Sequence, residues 1–230
     1  MDFIFIIVMG GLWGSFANVC IYRLPQDKGV VSGRSYCPKC KTQISWYDNI
    51  PILSYLFIQG KCRKCKKQIS IQYLIVELLS VLSFVVAYFF YGITITTLLF
   101  IILALTFIII FFIDLKHYII PNGLTFPLMF IGFVKSFDPN LNELFPNYIN
   151  SLIGGVFGYG IIWSIIFLYK VLRNKEGMGL GDAKLLAAIG FWFGWIAIPF
   201  VIFSSSIVAL FAVLPSLINK SKKFSSEIPF

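Results

Sequence analysis

From Tyr73 to Ile113 the chain carries one ionisable acid, Glu77, and no Lys or Arg. An apolar run of that length must satisfy its backbone hydrogen bonds internally, and helices that cross a bilayer do so without help from water. Further apolar stretches follow at Leu124 to Val134, Tyr148 to Tyr169, Lys184 to Trp195 and Ile198 to Ile218, and another precedes them from Asp2 to Tyr22. Soluble domains are roughly 45–50% apolar. This chain is 58% hydrophobic with mean hydropathy +0.86, so the expected fold is an all-α polytopic membrane protein of about seven transmembrane helices. The segments shorter than the roughly 20 residues of a perpendicular crossing are expected to be thinned or half-buried.

The formal charge of +9 suggests nucleic acid only until the basic residues are located, since they sit in loops and at helix ends. That distribution is membrane topology, and no nucleic-acid partner is expected. Residues 23–70 carry ten Lys or Arg against two acids, Asp27 and Asp48, which makes this loop cytoplasmic by the positive-inside rule. Crossing by crossing, Lys116 with His117, then Lys170, Arg173 and Lys175, then Lys220, Lys222 and Lys223 fall on the same side. Only Lys135 falls outside. The first apolar stretch lacks a positive leader and an A-x-A cleavage site, so it reads as a retained helix. Its Gly10, Gly11, Gly14, Ser15 and Ala17 would allow close helix packing. The expected organisation is a first helix at 1–22, a cytoplasmic loop domain at 23–70, a transmembrane core at 71–219 and a cytoplasmic tail at 220–230. No internal repeat stands out.

The loop holds two C-x2-C pairs, Cys37/Cys40 and Cys62/Cys65, 21 residues apart. Four thiols so spaced point to a tetrahedral zinc site, and disulfides are disfavoured in a reducing compartment. A polar segment this short needs such a staple to hold a fold. The stretch from Asp48 to Leu56 between the pairs is apolar and is expected to pack on the membrane surface or on the helices. Cys20 reads as a small core residue. His117, the only histidine, would make one cysteine redundant as a ligand and reads as interfacial.

Three acids lie in or beside apolar runs: Glu77, Asp114 and Asp182. A charge at membrane depth is costly and points to function. Asp114 ends an inward-running span and Asp182 opens an outward-running one, so both are expected at the cytoplasmic face. Two facing carboxylates cannot both ionise, which leaves one proton donor and one base, the pairing that activates water in aspartic proteases. The bland alternatives are an N-cap role for Asp182 and a solvated Asp114. Gly177, Gly179 and Gly181 before and around Asp182 are expected to take positive φ and let backbone approach an extended substrate. Lys184 reads as a headgroup or loop contact, and Glu77 as either interfacial or interior.

Several stretches then resemble the type IV prepilin peptidase family: Gly14-Ser15-Phe16-Ala17-Asn18-Val19, Tyr22-Arg23-Leu24-Pro25, both cysteine pairs, Asp48-Asn49-Ile50-Pro51, Val76-Glu77-Leu78, and Met178-Gly179-Leu180-Gly181-Asp182-Ala183-Lys184. The resemblance covers nearly the whole chain. It implies that Asp114 and Asp182 are catalytic, and that the enzyme cleaves the basic leader of prepilins or pseudopilins after a glycine at the cytoplasmic face of the bacterial inner membrane. It also implies N-methylation of the new terminus from S-adenosylmethionine, with the cysteine loop as a metal-binding domain associated with that step. Gln72, Leu74 and Asn122 depart from the family's usual Arg, Pro and Asp, and the ending at Ile228-Pro229-Phe230 reads as a truncation before a last helix. The alternatives are a presenilin-like or preflagellin-type G-x-G-D protease and a non-enzymatic zinc-ribbon transporter or adaptor.

Overall fold

A computed structural model describes residues 2–31, 33–37, 39–173 and 179–218, with side chains described through 211. The expectations for Gly177, Met178 and the tail from 219 onward fall outside these described residues. Eight α-helices order the described residues: α1 (Asp2–Arg23), α2 (Leu53–Phe57), α3 (Gln72–Tyr91), α4 (Ile95–His117), α5 (Asn122–Val134), α6 (Tyr148–Arg173), α7 (Leu180–Phe193) and α8 (Ala197–Ile218). Four helices, α1, α3, α4 and α6, are long and apolar enough to cross a membrane. α5 and α7 have 13 and 14 residues, or about 20 Å of rise, short of the roughly 30 Å hydrocarbon core. Of the about seven crossings read from the sequence, four are matched by helices long and apolar enough to cross a membrane.

The chain divides into two compact units, Met1–His117 and Tyr118–Phe230. That boundary falls inside the stretch 71–219 read from the sequence as one core. In the first unit α1 and α3 pack antiparallel through small residues. A β-carbon at Gly10 would lie 2.8 Å from Val81 Cα, and one at Gly14 would lie 2.8 Å from Glu77 Cα. One turn further along, buried Asn18 donates from Nδ2 to the Tyr73 carbonyl at 3.0 Å. The glycines permit backbone approach that larger residues forbid, and the amide satisfies a carbonyl in the first turn of α3. α4 closes this unit, with Phe100 stacked on Tyr91 at 5.0 Å.

The second unit is built on the seam between α6 and α7. Gly154 and Gly190 meet backbone to backbone, and a β-carbon at Gly158 would lie 2.7 Å from the Leu186 carbonyl. Ser151 Oγ donates across the seam to the Phe191 carbonyl at 2.7 Å. α5 joins through fully buried Trp192, whose indole N–H donates to the Leu128 carbonyl at 2.8 Å. Lys135, just past α5, is buried as well. Its ammonium donates to the Trp192 carbonyl at 3.0 Å and lies 3.8 Å from the Phe145 ring centroid. A cation suits the carbonyl-rich end of α7 and an aromatic face. The one basic residue that broke the charge pattern is thus committed to a helix end and is not a loop charge of the kind the rule counts.

Replacing Gly190 with Leu is expected to force α6 and α7 apart, with an overpacking cost of at least about 1–3 kcal/mol. Gly160 on the same seam helix has open space around its β-position, so Gly160→Ala is expected to be neutral or stabilising. Thermal midpoints of the detergent-solubilised variants check this, and equal loss in both would refute the seam.

Candidate functional site

The four paired cysteines converge. Their Sγ atoms all lie within 4.8 Å of one another, with Cys37 to Cys65 and Cys40 to Cys62 each at 3.9 Å. A tetrahedral metal with bonds of about 2.3 Å to sulfur requires sulfurs about 3.8 Å apart, so the donor set fits zinc in both chemistry and spacing. All four are free thiols. His117, exposed at the end of α4, is not among them.

Two knuckles of the same design deliver these thiols. In the first, the Cys37 amide donates to the Thr42 carbonyl, the Lys41 amide to the Cys37 carbonyl and the Ile44 amide to the Ser35 carbonyl, each at 2.9 Å. In the second, Cys62 donates to Lys67 at 3.0 Å, Lys66 to Cys62 at 2.9 Å and Ile69 to Gly60 at 2.7 Å. Lys41 and Lys66 turn the chain at φ 56° and 57°, and isolated bridges Tyr36 to Gln43 and Lys61 to Gln68 close the two turns. The correspondence is present in the sequence. Cys37-Pro38-Lys39-Cys40-Lys41-Thr42-Gln43-Ile44-Ser45 and Cys62-Arg63-Lys64-Cys65-Lys66-Lys67-Gln68-Ile69-Ser70 are two copies of one motif, a short internal repeat that the cysteine spacing alone does not reveal.

Without a cation the thiols share protons unevenly. Hydrogen bonding from the Thr42 side chain and backbone brings Cys40 down to about 6, and the Cys65 and Lys64 amides lower Cys62. At Cys65 the Lys67 amide lowers the thiol, but desolvation and the neighbouring sulfurs outweigh it and push Cys65 up to about 11. Clustered thiolates repel one another, and a bound dication removes that repulsion.

Contacts of Arg23, Glu77 and Tyr55, none of them legible in the sequence, hold the module. Arg23, counted as a loop charge, is buried and donates to the carbonyls of Gly29 at 3.2 Å and Gly33 at 2.9 Å, organising the approach to the first knuckle. Glu77, only 8% exposed, accepts the Ile52 amide at 2.7 Å. This places Glu77 in the interior, one of the two options read from the sequence. Tyr55 reaches from α2 to the second knuckle, its hydroxyl donating to the Ile69 carbonyl at 3.3 Å, with its ring against Gly60 at φ 64°. The apolar insert between the pairs therefore packs on helices, and buried Cys20 is a core residue as expected.

The two aspartates belong one to each compact unit. Asp114 is partly buried in the last turn of α4, which continues to His117 and does not end at Ile113. Asp182 is partly buried in the first turn of α7. The N-cap of α7 is Gly179, and the Asp182 amide donates to the Gly179 carbonyl at 3.2 Å, so Asp182 lies inside the helix and the capping alternative is set aside. A carboxylate there sits at the positive end of the helix dipole.

The glycines act differently from expectation. Gly179 has φ −77°, and Gly181 lies in the helix; neither uses positive φ. Gly181 serves close approach, because a β-carbon there would lie 3.0 Å from Ile120 Cβ. Lys184 Nζ donates to Asn122 Oδ1 at 2.7 Å and lies 5.5 Å from the Phe126 ring centroid. Lys184 thus ties the start of α7 to the start of α5, a more specific role than a headgroup anchor. Asn122 supplies the acceptor oxygen.

Comparison with known proteins fits both halves. Residues 8–91 match the bacterial peptidase A24 N-terminal domain, and residues 101–214 match the type IV leader peptidase family. A prepilin leader peptidase/N-methyltransferase of Neisseria gonorrhoeae is 36% identical over 95% of this chain and 83% of its own length. Proteins of the same description from Klebsiella pneumoniae and Vibrio cholerae are each 37% identical, over 85% and 91% of this chain and 86% and 85% of their own. No solved structure matches. With both domains matched in order and relatives at this identity over most of their length, the chain belongs to the type IV leader peptidase family of membrane-embedded bacterial enzymes.

Proposed function

We propose that this enzyme removes the basic leader of type IV prepilins or pseudopilins by aspartyl hydrolysis after a glycine at the cytoplasmic face, with Asp114 and Asp182 as the catalytic pair. The observation that carries the reading is the family match over residues 101–214 together with one partly buried acid in an end turn of each of two apolar helices within it. Asp182, at the positive end of a helix, is the base: it takes a proton from water as the water oxygen bonds to the scissile carbonyl carbon. Asp114 holds a proton and delivers it to the departing amine as the C–N bond breaks. The basic loop at residues 23–70 and the basic last turns of α4 and α6, with Lys116, His117, Lys170 and Arg173, support a cytoplasmic position for these ends.

Residues 23–70 form a metal-binding domain in this proposal, with zinc on Cys37, Cys40, Cys62 and Cys65. Bound zinc would hold the two knuckles together as a structural centre, since four thiolates fill its coordination shell. The names of the relatives support N-methylation of the new terminus, with S-adenosylmethionine as methyl donor. No residue here is assigned to that donor.

Asp114→Asn and Asp182→Asn are each expected to lower the rate of prepilin cleavage by about 10²–10⁴-fold, with thermal midpoints unchanged. Reconstituted enzyme and a prepilin with a basic leader provide the assay, and full activity in both variants would end the proposal. Purified protein is expected to carry about one zinc per chain, lost in Cys62→Ser. Elemental analysis that finds no metal while all four thiols remain free would count against the metal centre.

A further inference from the structure

The segment joining the two cysteine knuckles has an unusual position against the membrane helices. α1 and α3 pair antiparallel, Gly10 against Val81, Gly14 against Glu77 and Asn18 against Tyr73. α3 has 20 residues, about 30 Å of helix, which matches the hydrocarbon core with nothing to spare. Gln72 therefore marks one edge of the core. Pro51 packs on Gly11, since a β-carbon there would lie 3.1 Å from Pro51 Cβ. In the α1/α3 register Gly11 lies level with Ser80, about 12 Å beyond Gln72, and Glu77 about 8 Å beyond it.

The chain between the knuckles is dressed for that depth. From Ile50 to Ile58 the exposed residues are Ile50, Leu53, Leu56 and Phe57, the last 81% exposed. Polar Asp48-Asn49 and Gln59-Gly60-Lys61 bracket the segment. At its outer flank Trp46 is 81% exposed, and Arg63 pairs with Asp48 at 2.6 Å and lies 5.6 Å from the Tyr47 ring centroid. Aromatic and cationic side chains of this kind sit at the headgroup level.

Non-helical backbone inside a bilayer is tolerated only where its polar groups are satisfied. Local hydrogen bonds answer much of that demand at the tip. Pro51 has no N–H; the Leu53 amide donates to the Pro51 carbonyl at 2.6 Å, Ser54 to Ile50 at 3.1 Å and Leu56 to Ile52 at 3.1 Å. The Ile52 amide donates to the Glu77 carboxylate. Ile52 is at φ 62° and ψ −55°, a γ-turn geometry costly for a β-branched residue. A buried carboxylate at α3 and a strained turn thus account for each other.

We propose that Ile50–Ile58 is a re-entrant wedge embedded among lipid acyl chains beside α1 and α3, with Glu77 as the positioning residue that pins its tip. The metal module is thereby seated in the bilayer and is not a free cytoplasmic loop. The basic surface of the surrounding loop, ten Lys or Arg against two acids over 23–70, suits anionic headgroups and opposes a basic leader peptide.

The test uses full-length protein labelled with fluorotryptophan in lipid nanodiscs, where Leu53→Trp adds one ¹⁹F resonance to those of the five native tryptophans. That signal is expected to be lost with lipids carrying a spin label in mid-chain and to survive an aqueous gadolinium chelate. Lys64→Trp in the second knuckle should show the reverse order. Phe57→Trp, at an exposed site where little packing is lost, is the second reporter should Leu53→Trp fail to fold. Quenching by the chelate as strong as at position 64 would make the segment a surface loop and overturn the proposal. Protection from both agents would mean that protein, whether a second copy or a substrate helix, covers it, and would overturn it equally. Glu77→Ala is expected to expose the reporter to the chelate, whereas Glu77→Gln, which keeps an acceptor for the Ile52 amide, should not. An unchanged depth in Glu77→Ala would remove Glu77 from the account.

Discussion

In a bilayer a backbone or side-chain polar group without a partner costs several kcal/mol, and this architecture follows from meeting that cost locally. Asn18 answers the Tyr73 carbonyl, Ser151 the Phe191 carbonyl, Trp192 the Leu128 carbonyl and Lys135 the Trp192 carbonyl. Among the described residues no buried side-chain nitrogen or oxygen is left without a hydrogen bond. These bonds also set registry. Apolar surfaces slide against one another in lipid with little penalty, because lipid tails are as apolar as the side chains. A directional bond to one carbonyl selects one register, and the glycines on the same faces bring the helices near enough for it to form.

That division of labour explains what can be read from the sequence. Apolar runs and their flanking charges report helices directly, so α1, α3, α4 and α6 lie close to where the runs place them. The small residues of α1 announce a packing face, and it packs. The partner of each polar residue cannot be read, because a hydrogen bond from Lys184 to Asn122 or from Lys135 to Trp192 spans many positions and leaves no local pattern. Lys135 therefore looks like an exception to the charge rule when it is a buried helix-end cation. Glycine near Asp182 suggests conformational freedom, whereas Gly181 answers crowding by Ile120, a contact invisible until the helices are placed.

The cysteine module shows a different limit. Spacing alone brings the four thiols together correctly, because ligand chemistry constrains spacing. What spacing cannot say is how the loop meets the membrane. Assigned wholly to the cytoplasm by its charge, residues 23–70 contain a nine-residue apolar stretch, Ile50–Ile58, whose tip lies against Gly11 and Glu77. Charge rules average over a loop, and ten basic residues conceal an insert that carries none. The knuckle repeat is legible in sequence, but its signal lies in the Gln-Ile-Ser that follows each pair and not in the cysteines themselves.

Three acids stand out at membrane depth, and their surroundings sort them. Glu77 is enclosed between α1 and α3 with its carboxylate on a backbone amide. A carboxylate that must keep accepting that bond is poorly suited to cycle a proton, since protonation would trade a charge-assisted bond for a weaker one. Asp114 and Asp182 are only partly buried, each in an end turn of its helix. Proton transfer to and from a substrate needs groups that are not sealed in the protein, and it needs two groups in different fields so that one holds the proton the other lacks. Helix position supplies the difference, with Asp182 in a first turn and Asp114 in a last. By this sorting the proposed catalytic pair is what remains when the acid with a structural duty is set aside.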